Sequence, residues 1–500
     1  MLRRVMVFGL LAVLLMCGVS AAGLGWLWST SAVSTAGEVD FVNRLPVPPL
    51  APSRVDGAGR RVFELTARRG RHDFGNGQMA TWGFNGDYLG PTLRAERGER
   101  VLVKVRNRLG EATTVHWHGM HLPPEMDGGP HQVVPSGGTW TPSWRIDQPA
   151  ATLWYHPHPH GETARHVYRG LAGMFIIDDP GTSAPDLPHK YGVDDIPVIV
   201  QDKKFHRNAL DETSNGLGGV GLLGDTIAVN GTVGPYLDVT TERVRLRLLN
   251  GSNARVYDFG FADRRRFALV GTDGGLLATP HHTTRVQLSP GERAEIVVSV
   301  RPGERAVLRS FPPRLGLDGR SGRFTGGADT FDVLQLRAAE RLADRPEVPR
   351  RLVDVPPLDP DEAATRRVFR LRGQSINGDR MALNRVDTTV VKGTTEVWEI
   401  TNSDGTPHSF HVHDVQFQVL SVAGREPPPE LRGWKDTIYL RPQEPVEIAM
   451  RFTDYADPDT PYLYHCHVLF HEDQGMMGQF VVVEPGQLPG SPGAGHHHGD

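Results

Sequence analysis

The chain has 500 residues, of which 39% are hydrophobic and 22% are charged, and its formal net charge is −4 with histidine neutral. These values describe a globular protein with room for about three domains, and they argue against a nucleic-acid-binding surface or an acidic tail. The 57 glycines and 39 prolines favour many short strands joined by turns.

The N-terminal residues 1–36 have the pattern of an export segment. Arg3 and Arg4 precede an apolar run that continues to Trp28 without a charge. The run is long enough to span a bilayer, so a cleaved signal peptide and an uncleaved membrane anchor both remain open. The arginine pair is also compatible with twin-arginine export, and Cys17 with a lipid anchor. Each reading predicts a folded part outside the cytoplasm, in the periplasm or cell envelope or secreted.

The number of cysteines limits the roles that a thiol can have in the exported part. The chain has two cysteines, and Cys17 lies inside the export segment. Cys466 is then alone, so no internal disulfide can form. A free thiol is a liability in an oxidising compartment unless it is buried or bound to metal, and the flanking His465 and His467 favour metal.

The rest of the chain reads as three copies of one antiparallel β-sandwich unit. Residues 37–59 are proline-rich and predicted to be irregular, and short alternating runs begin at Arg61. Three Asn-Gly pairs each precede an alternating strand that ends near an asparagine: Asn85-Gly86, Asn230-Gly231 and Asn377-Gly378. The predicted domains are residues 60–182, 183–345 and 346–486, followed by a flexible histidine-containing tail, 487–500.

Four His-x-His triplets form a system. They are His116-Trp117-His118, His156-Pro157-His158, His411-Val412-His413 and His465-Cys466-His467. Each lies in a stretch of sequence typical of a β-strand. Alternate side chains of a strand share a face, so each triplet presents two imidazoles on one side. Two triplets lie in the first repeat, two in the third and none in the second. Eight imidazoles that converge between two domains can hold three copper ions.

A second site is predicted around Cys466. On a strand its side chain points away from the two flanking histidines. His471 and Met476 follow the strand, and His408 lies just before the third triplet. Thiolate, imidazoles and a weak axial thioether are the ligands of a blue (type 1) copper centre.

These motifs resemble those of the three-domain bacterial multicopper oxidases, both laccase-like and copper-efflux (cuprous oxidase) members. The matching motifs are H-W-H-G from His116, H-P-H from His156, H-S-F-H-V-H from His408 and H-C-H-x3-H-E-D-Q-G-M from His465. The resemblance spans residues 60–485. It implies an all-β fold of three tandem cupredoxin-like Greek-key sandwiches that bind four copper ions: one type 1, one type 2 and two type 3.

The resemblance also assigns roles. The type 1 ligands it implies are His408, Cys466, His471 and Met476, and the type 2 ligands are His116 and His411. The two type 3 sets are His118, His156, His467 and His158, His413, His465. Three acids match catalytic positions: Asp127 and Glu472 for proton delivery to oxygen, and Asp404 for contact with a cuprous substrate. The plain alternatives are that Asp127 caps a glycine turn and that Glu472 lies on the surface.

The family's activity couples four one-electron oxidations of phenolic or aryl-amine donors, or of Cu(I), to reduction of O2 to water. The copper-efflux members carry a methionine-rich insertion over the type 1 site. Residues 341–370, the corresponding stretch here, contain no methionine, which favours a more open, laccase-like site. The alternatives are a cuprous oxidase dedicated to copper tolerance and a non-catalytic copper-binding or envelope scaffold protein. The expected partners are O2 and small reductants, with no nucleic acid, a monomeric chain and possible attachment to a membrane through the N-terminal segment.

Overall fold

The computed structural model describes Trp28 and residues 31–75, 77–180, 186–214 and 218–492. Most of the predicted export segment and the end of the histidine-containing tail lie outside these ranges. No helix within the described ranges is both long enough and apolar enough to cross a membrane.

The segment 37–59, expected to be irregular, contains two short strands, β1 (Asn43–Arg44) and β2 (Ser53–Val55). β1 pairs in parallel with residues 235–236, and β2 pairs antiparallel with residues 61–63. The segment thereby ties the second repeat to the first, and the edges of existing sheets satisfy backbone groups of this proline-rich stretch.

The first unit is a sandwich of two sheets, with order β2-β3-β6-β8 in one and β5-β11-β10-β7 in the other. Its remaining strands β4 and β9 pair with β3 and β6. The strands are β3 (Arg60–Asp73), β4 (Gln78–Phe84), β5 (Leu93–Glu96), β6 (Arg100–Arg108), β7 (His116–His118), β8 (Thr139–Trp140), β9 (Ser143–Arg145), β10 (Ala151–His156) and β11 (Gly173–Asp178).

The second unit also has two large sheets, β1-β17-β25-β24-β19-β22 and β16-β15-β12-β18-β23-β20-β21, with the hairpin β13-β14 beside them. Its strands are β12 (Asp195–Lys203), β13 (Phe205–His206), β14 (Ala209–Leu210), β15 (Thr226–Val229), β16 (Thr232–Val233), β17 (Pro235–Thr241), β18 (Arg243–Asn250), β19 (Tyr257–Phe261), β20 (Phe267–Thr272), β21 (Gly275–Thr283), β22 (Val286–Leu288), β23 (Arg293–Ser299), β24 (Arg305–Phe311) and β25 (Phe331–Ala343).

The third unit repeats the arrangement with the sheets β27-β26-β29-β33-β31 and β28-β35-β34-β30-β32. Its strands are β26 (Thr365–Arg372), β27 (Ser375–Ile376), β28 (Thr388–Val391), β29 (Thr395–Asn402), β30 (His408–Val412), β31 (Phe417–Val422), β32 (Thr437–Leu440), β33 (Val446–Arg451), β34 (Asp457–His465) and β35 (Met477–Val483). The predicted domain limits at 182/183 and 345/346 stay predictions.

Helices are few and short in the described ranges. They are α1 (Thr163–Tyr168), α2 (Gly319–Phe324) and α3 (Leu469–Asp473), with 3-10 turns at Pro124–Met126, Pro360–Glu362 and Pro429–Leu431. The predicted all-β fold class is confirmed.

Burial shows how the units are joined. β17 alternates buried and more accessible residues, as a strand with one face on a core does, whereas β10 is buried throughout. Leu153 and Tyr155 of β10 enter the core of the first unit, and Trp154 packs with Ile199 and Leu249 of the second. The histidine-bearing strand β10 is therefore fixed from both sides.

Candidate metal centre

The eight histidines of the four triplets converge between the first and third units, and all eight are buried. Strand register brings them together in pairs. His156 lies opposite His116 on β10 and β7, and His465 lies opposite His411 on β34 and β30. The remaining four lie within two residues of these positions.

Their ring nitrogens form three groups of three, each with its nitrogens within 4.8 Å of one another. The groups are His116, His411, His413; His118, His156, His467; and His158, His413, His465. The last two have the same members as the two predicted type 3 sets, and the first contains the predicted type 2 pair. In the third group, Nε2 of His465 lies 3.2 Å from Nε2 of both His158 and His413.

Several of these nitrogens have no hydrogen-bond partner among the described residues, including Nε2 of His116, Nε2 of His411 and both ring nitrogens of His467. A buried polar atom without a partner costs about 1–3 kcal/mol, so a cluster of them indicates a ligand-binding site. Convergent imidazole lone pairs are metal ligands, and imidazole suits copper. The residues present therefore fit a metal cluster.

The lowered pKa values of four of the cluster histidines agree with metal binding. Burial, joined by neighbouring imidazoles, lowers the pKa of His411 and His413 well below the usual histidine value. Burial likewise lowers the pKa of His158 and His467 to about 3. Neutral imidazole is the form that binds metal.

Asp127 is buried and connects two of these histidines. Its backbone oxygen accepts a hydrogen bond from Nδ1 of His116 at 3.0 Å, and its Oδ2 accepts one from Nδ1 of His413 at 2.8 Å. Both imidazoles then keep Nε2 free for a metal. Asp127 thus does more than cap the Pro124–Met126 turn.

Glu472 lies in α3 and is 1% exposed, so the surface alternative is wrong. Its Oε2 lies 3.2 Å from Nδ1 of His465, and its Oε1 lies 3.5 Å from Nε2 of His158. The carboxylate therefore adjoins the group His158, His413 and His465, which Asp127 also contacts through His413.

The predicted type 1 residues form a second buried group. Sγ of Cys466 lies 3.5 Å from Nδ1 of His408 and 3.7 Å from Nδ1 of His471. Burial raises the pKa of the Cys466 thiol, but the two histidines outweigh it and lower the pKa to about 5. Burial lowers the pKa of His408, while Asp404 and Cys466 outweigh it and raise the pKa to about 9. The site favours the metal-binding thiolate.

Met476 is buried in the same core cluster as Cys466. The Cys466 N–H donates to the backbone oxygen of Met476 at 3.1 Å, and the Met476 N–H donates to that of His471 at 2.9 Å. The turn after α3 therefore folds Met476 back beside the thiol, as the sequence spacing predicted.

The outer edges of the imidazoles of the two predicted type 1 histidines, His408 and His471, are covered. Nε2 of His471, a residue 2% exposed, lies 2.8 Å from the backbone oxygen of Gly219 in the second unit. Nε2 of His408 lies 3.2 Å from Oδ1 of Asp404 and 3.1 Å from Oγ1 of Thr406. The structure differs here from the expected open site. The methionine-rich insertion is absent, but a second-unit segment lies in contact with His471 instead.

One residue to which the sequence analysis gave no role also contacts the histidines. Asp436 is buried, and its Oδ1 lies 3.0 Å from Nε2 of His118. The signal that could have found it is the Trp434-Lys435-Asp436-Thr437 run, whose charged residues sit beside a strand that is otherwise apolar.

A thiolate–imidazole site linked by a His-Cys-His triplet to a histidine cluster defines a copper oxidase architecture. Two multicopper oxidase family models match the chain, over residues 66–182 and 354–486. Multicopper oxidase mco of Staphylococcus haemolyticus is 37% identical over 452 residues, which cover 88% of this chain and 93% of that protein. Cell division protein FtsP of Escherichia coli is 36% identical over 442 residues, with 88% and 92% coverage.

Solved structures agree. The laccase-like multicopper oxidase CueO from a lignin-degrading Ochrobactrum species superposes with a TM-score of 0.80 at 35% identity, covering 88% of this chain and 100% of that one. A laccase from Pediococcus acidilactici superposes with a TM-score of 0.79 at 36% identity, covering 88% and 93%. This chain belongs to the multicopper oxidase family. The predicted cupredoxin-like fold is confirmed, and the protein is an oxidoreductase for which the family implies copper.

Proposed function

We propose that the protein binds four copper ions and couples one-electron oxidation of small donors to four-electron reduction of O2 to water. The observation that carries this proposal is the completeness of the donor set. Every histidine of the four triplets, together with His408, Cys466 and His471, lies in a buried group of three potential ligands. In this proposal His408, Cys466, His471 and Met476 hold the type 1 ion, and the eight triplet histidines hold the other three.

The copper ions supply one-electron redox steps, so that four electrons can be stored before O2 is reduced. The chain supplies the connection between the two sites, because Cys466 is covalently joined to His465 and His467. It also supplies carboxylates beside the cluster. Glu472 adjoins His158 and His465, and Asp127 adjoins His413, within the distance over which a proton passes directly or through one water.

Donor access follows from the covered imidazole edges. A phenol that must reach Nε2 of His471 has to displace the backbone oxygen of Gly219. Asp404 is more accessible than the imidazole of His471. Its side chain is 20% exposed, and its Oδ1 lies beside His408. The negative charge of that carboxylate attracts a small cationic donor such as Cu(I). We therefore infer that the protein oxidises Cu(I) more efficiently than bulky phenols, in keeping with a role in copper tolerance.

A non-catalytic envelope or scaffold role is the second candidate function. The observation that supports it is the similarity to cell division protein FtsP. The complete donor set speaks against it, because a scaffold does not need unpartnered buried imidazoles, which lower stability. The apolar N-terminal run supports a location outside the cytoplasm, by export or anchoring.

Oxygen uptake by fully copper-loaded protein tests the proposal. We expect uptake with Cu(I) and weaker uptake with a phenol such as 2,6-dimethoxyphenol, without accumulation of peroxide. Copper-loaded protein that consumes no O2 with either donor would support the scaffold alternative. A higher kcat/KM for the phenol than for Cu(I) would contradict the inferred donor preference.

A further inference from the structure

Two buried aspartates hold the cluster histidines in related ways. Asp127 of the first unit accepts from His116 of its own unit through its backbone oxygen and from His413 of the third unit through its carboxylate. Asp436 of the third unit makes the same two kinds of contact, with the first and third units exchanged. Its backbone oxygen accepts from Nδ1 of His411 at 2.8 Å, and its carboxylate contacts His118 of the first unit.

The imidazoles repeat this two-fold relation. The ring of His116 stacks on that of His413 with 3.8 Å between centroids, and the ring of His118 stacks on that of His411 with 3.7 Å. Each stacked pair is held by one aspartate, which contacts one ring through its backbone and the other through its side chain.

The two carboxylates differ in what holds them. Oδ1 of Asp127 has no hydrogen-bond partner among the described residues. The Asp436 carboxylate is gripped by the Arg293 guanidinium, which donates from Nη1 to Oδ1 at 2.7 Å and from Nη2 to Oδ2 at 2.6 Å. Thr437 donates a further hydrogen bond to Oδ1 at 2.9 Å. A two-point contact of this kind fixes the orientation of a carboxylate.

Arg293 belongs to the second unit, which contains none of the predicted copper ligands. It is fully buried, and its Nε also donates to the backbone oxygen of Thr152 in the first unit at 2.9 Å. One side chain thus contacts all three units. A Cβ on Gly119, the residue after His118, would lie 2.4 Å from Oδ2 of Asp436, so the close approach of this ion pair requires glycine there.

We propose that Asp436 and Arg293 are positioning residues that set the tautomer of His118 and thereby complete the copper cluster. An ionised carboxylate only accepts hydrogen bonds, so Nε2 of His118 carries the proton. Nδ1 then keeps its lone pair and faces Nε2 of His156 at 3.4 Å, inside the group His118, His156, His467. The second unit contributes to the cluster through this carboxylate rather than through a ligand.

This inference rests on the copper-binding function proposed above. Asp436→Asn is the sharpest variant, because it removes the negative charge and one of the two oxygens that accept from Arg293, in a side chain that also contacts His118. Nε2 of His118 then loses its charged acceptor, so the preference for a proton on Nε2 weakens and Nδ1 is less often free to bind a metal. Arg293→Lys keeps the charge but loses the two-point grip. Loss of such outer partners costs about 10–100-fold in metal affinity.

Arg247→Lys is the matched control. Arg247 is also a buried second-unit arginine that grips a carboxylate at two points, Asp195, and it reaches the first unit at Thr152. Among the described residues, the Arg247 side chain makes no hydrogen bond with any of the eight histidines. Each variant is loaded at limiting free copper, and three quantities are measured: total copper, the blue absorption band, and the near-ultraviolet absorption of the type 3 copper pair, whose predicted ligands include His118.

We expect Asp436→Asn and Arg293→Lys to keep the blue band and to lose or weaken the type 3 absorption, while Arg247→Lys matches the wild type in both. A wild-type type 3 absorption in both cluster variants would overturn the inference. Equal loss of this absorption in Arg247→Lys, or parallel loss of the blue band, would also overturn it by showing general destabilisation. Absence of copper from the wild-type protein would instead contradict the proposed function.

Discussion

Sγ of Cys466 lies 3.5 Å from Nδ1 of His408, a contact between residues 58 positions apart in the chain. The thiol and the imidazole come from the ends of two neighbouring strands, and the contact lies in the core of the third unit. Cys466→Ser removes the sulfur on which the blue absorption depends. We expect copper-loaded Cys466→Ser to be colourless and inactive toward donors, with type 2 copper retained. An intense blue band in this variant would contradict the type 1 assignment.

Met476→Leu tests the axial position. The two side chains are similar in volume, so the buried turn should fold with a loss of less than about 1.5 kcal/mol. Loss of a thioether donor favours the reduced metal, so the reduction potential of the blue site should rise. Redox titration of the blue band measures this. Met477→Leu is the matched control, and an unchanged potential in Met476→Leu with a raised one in Met477→Leu would move the axial role to the neighbouring residue.

Glu472→Gln tests proton delivery. The amide has the same shape but no titratable proton, so copper content should be unchanged, while reoxidation of the reduced protein by O2 should slow by about 10²-fold or more. Stopped-flow mixing of anaerobically reduced protein with O2, followed by return of the blue band, measures this rate. Glu162→Gln, at a side chain 51% exposed, is the control. Reoxidation at the wild-type rate would leave Asp127 or solvent as the proton source.

Asp404→Asn tests donor selection. Removing the accessible carboxylate beside His408 should raise KM for Cu(I) and leave KM for a phenol nearly unchanged, because a neutral donor gains little from the charge. Steady-state kinetics with both donors measure the difference. Asp379→Asn removes a third-unit carboxylate that is 70% exposed and should change neither value. Equal rises in both KM values would mean that Asp404 acts only by holding His408.

Lys203→Met tests a buried charge outside the copper sites. Lys203 is 1% exposed, donates to the backbone oxygen of Tyr168 at 2.6 Å, and burial lowers its pKa from 10.5 to about 7. Between these two values the unfolded chain binds a proton that the folded chain does not, so the contribution of Lys203 to stability improves as pH rises through that window. The lysine therefore costs most at and below pH 7.

We expect the unfolding temperature of Lys203→Met minus that of the wild type to fall as pH rises from about 7 toward 10.5. Thermal unfolding across that range measures the difference. Lys392→Met, at a lysine with a side chain 33% exposed, is the matched control. A pH-independent difference for Lys203→Met would contradict the depressed pKa.

Sequence patterns predicted most of the site, because the spacing of His116, His118, His411 and His413 fixes which side chains share a strand face. The all-β class followed from the same alternation. What the sequence could not give lies in contacts between units. The sequence around Arg293 reads as an ordinary strand, and its contact with Asp436 of the third unit is visible only in the structure. In the same way, Gly219 of the second unit covers His471 of the third. The expectation of an open donor site failed for this reason, since it considered only the third unit.

The central claim is that the chain stores four electrons and delivers them to one O2 molecule. An anaerobic titration of fully copper-loaded protein with a one-electron reductant, followed by addition of O2, tests it directly. The account predicts that each chain takes up four electron equivalents, and that on reoxidation each chain consumes one O2 and releases no peroxide. Uptake of a single equivalent, or reduced protein that does not react with O2, would contradict the account and indicate a copper-binding protein without oxidase activity.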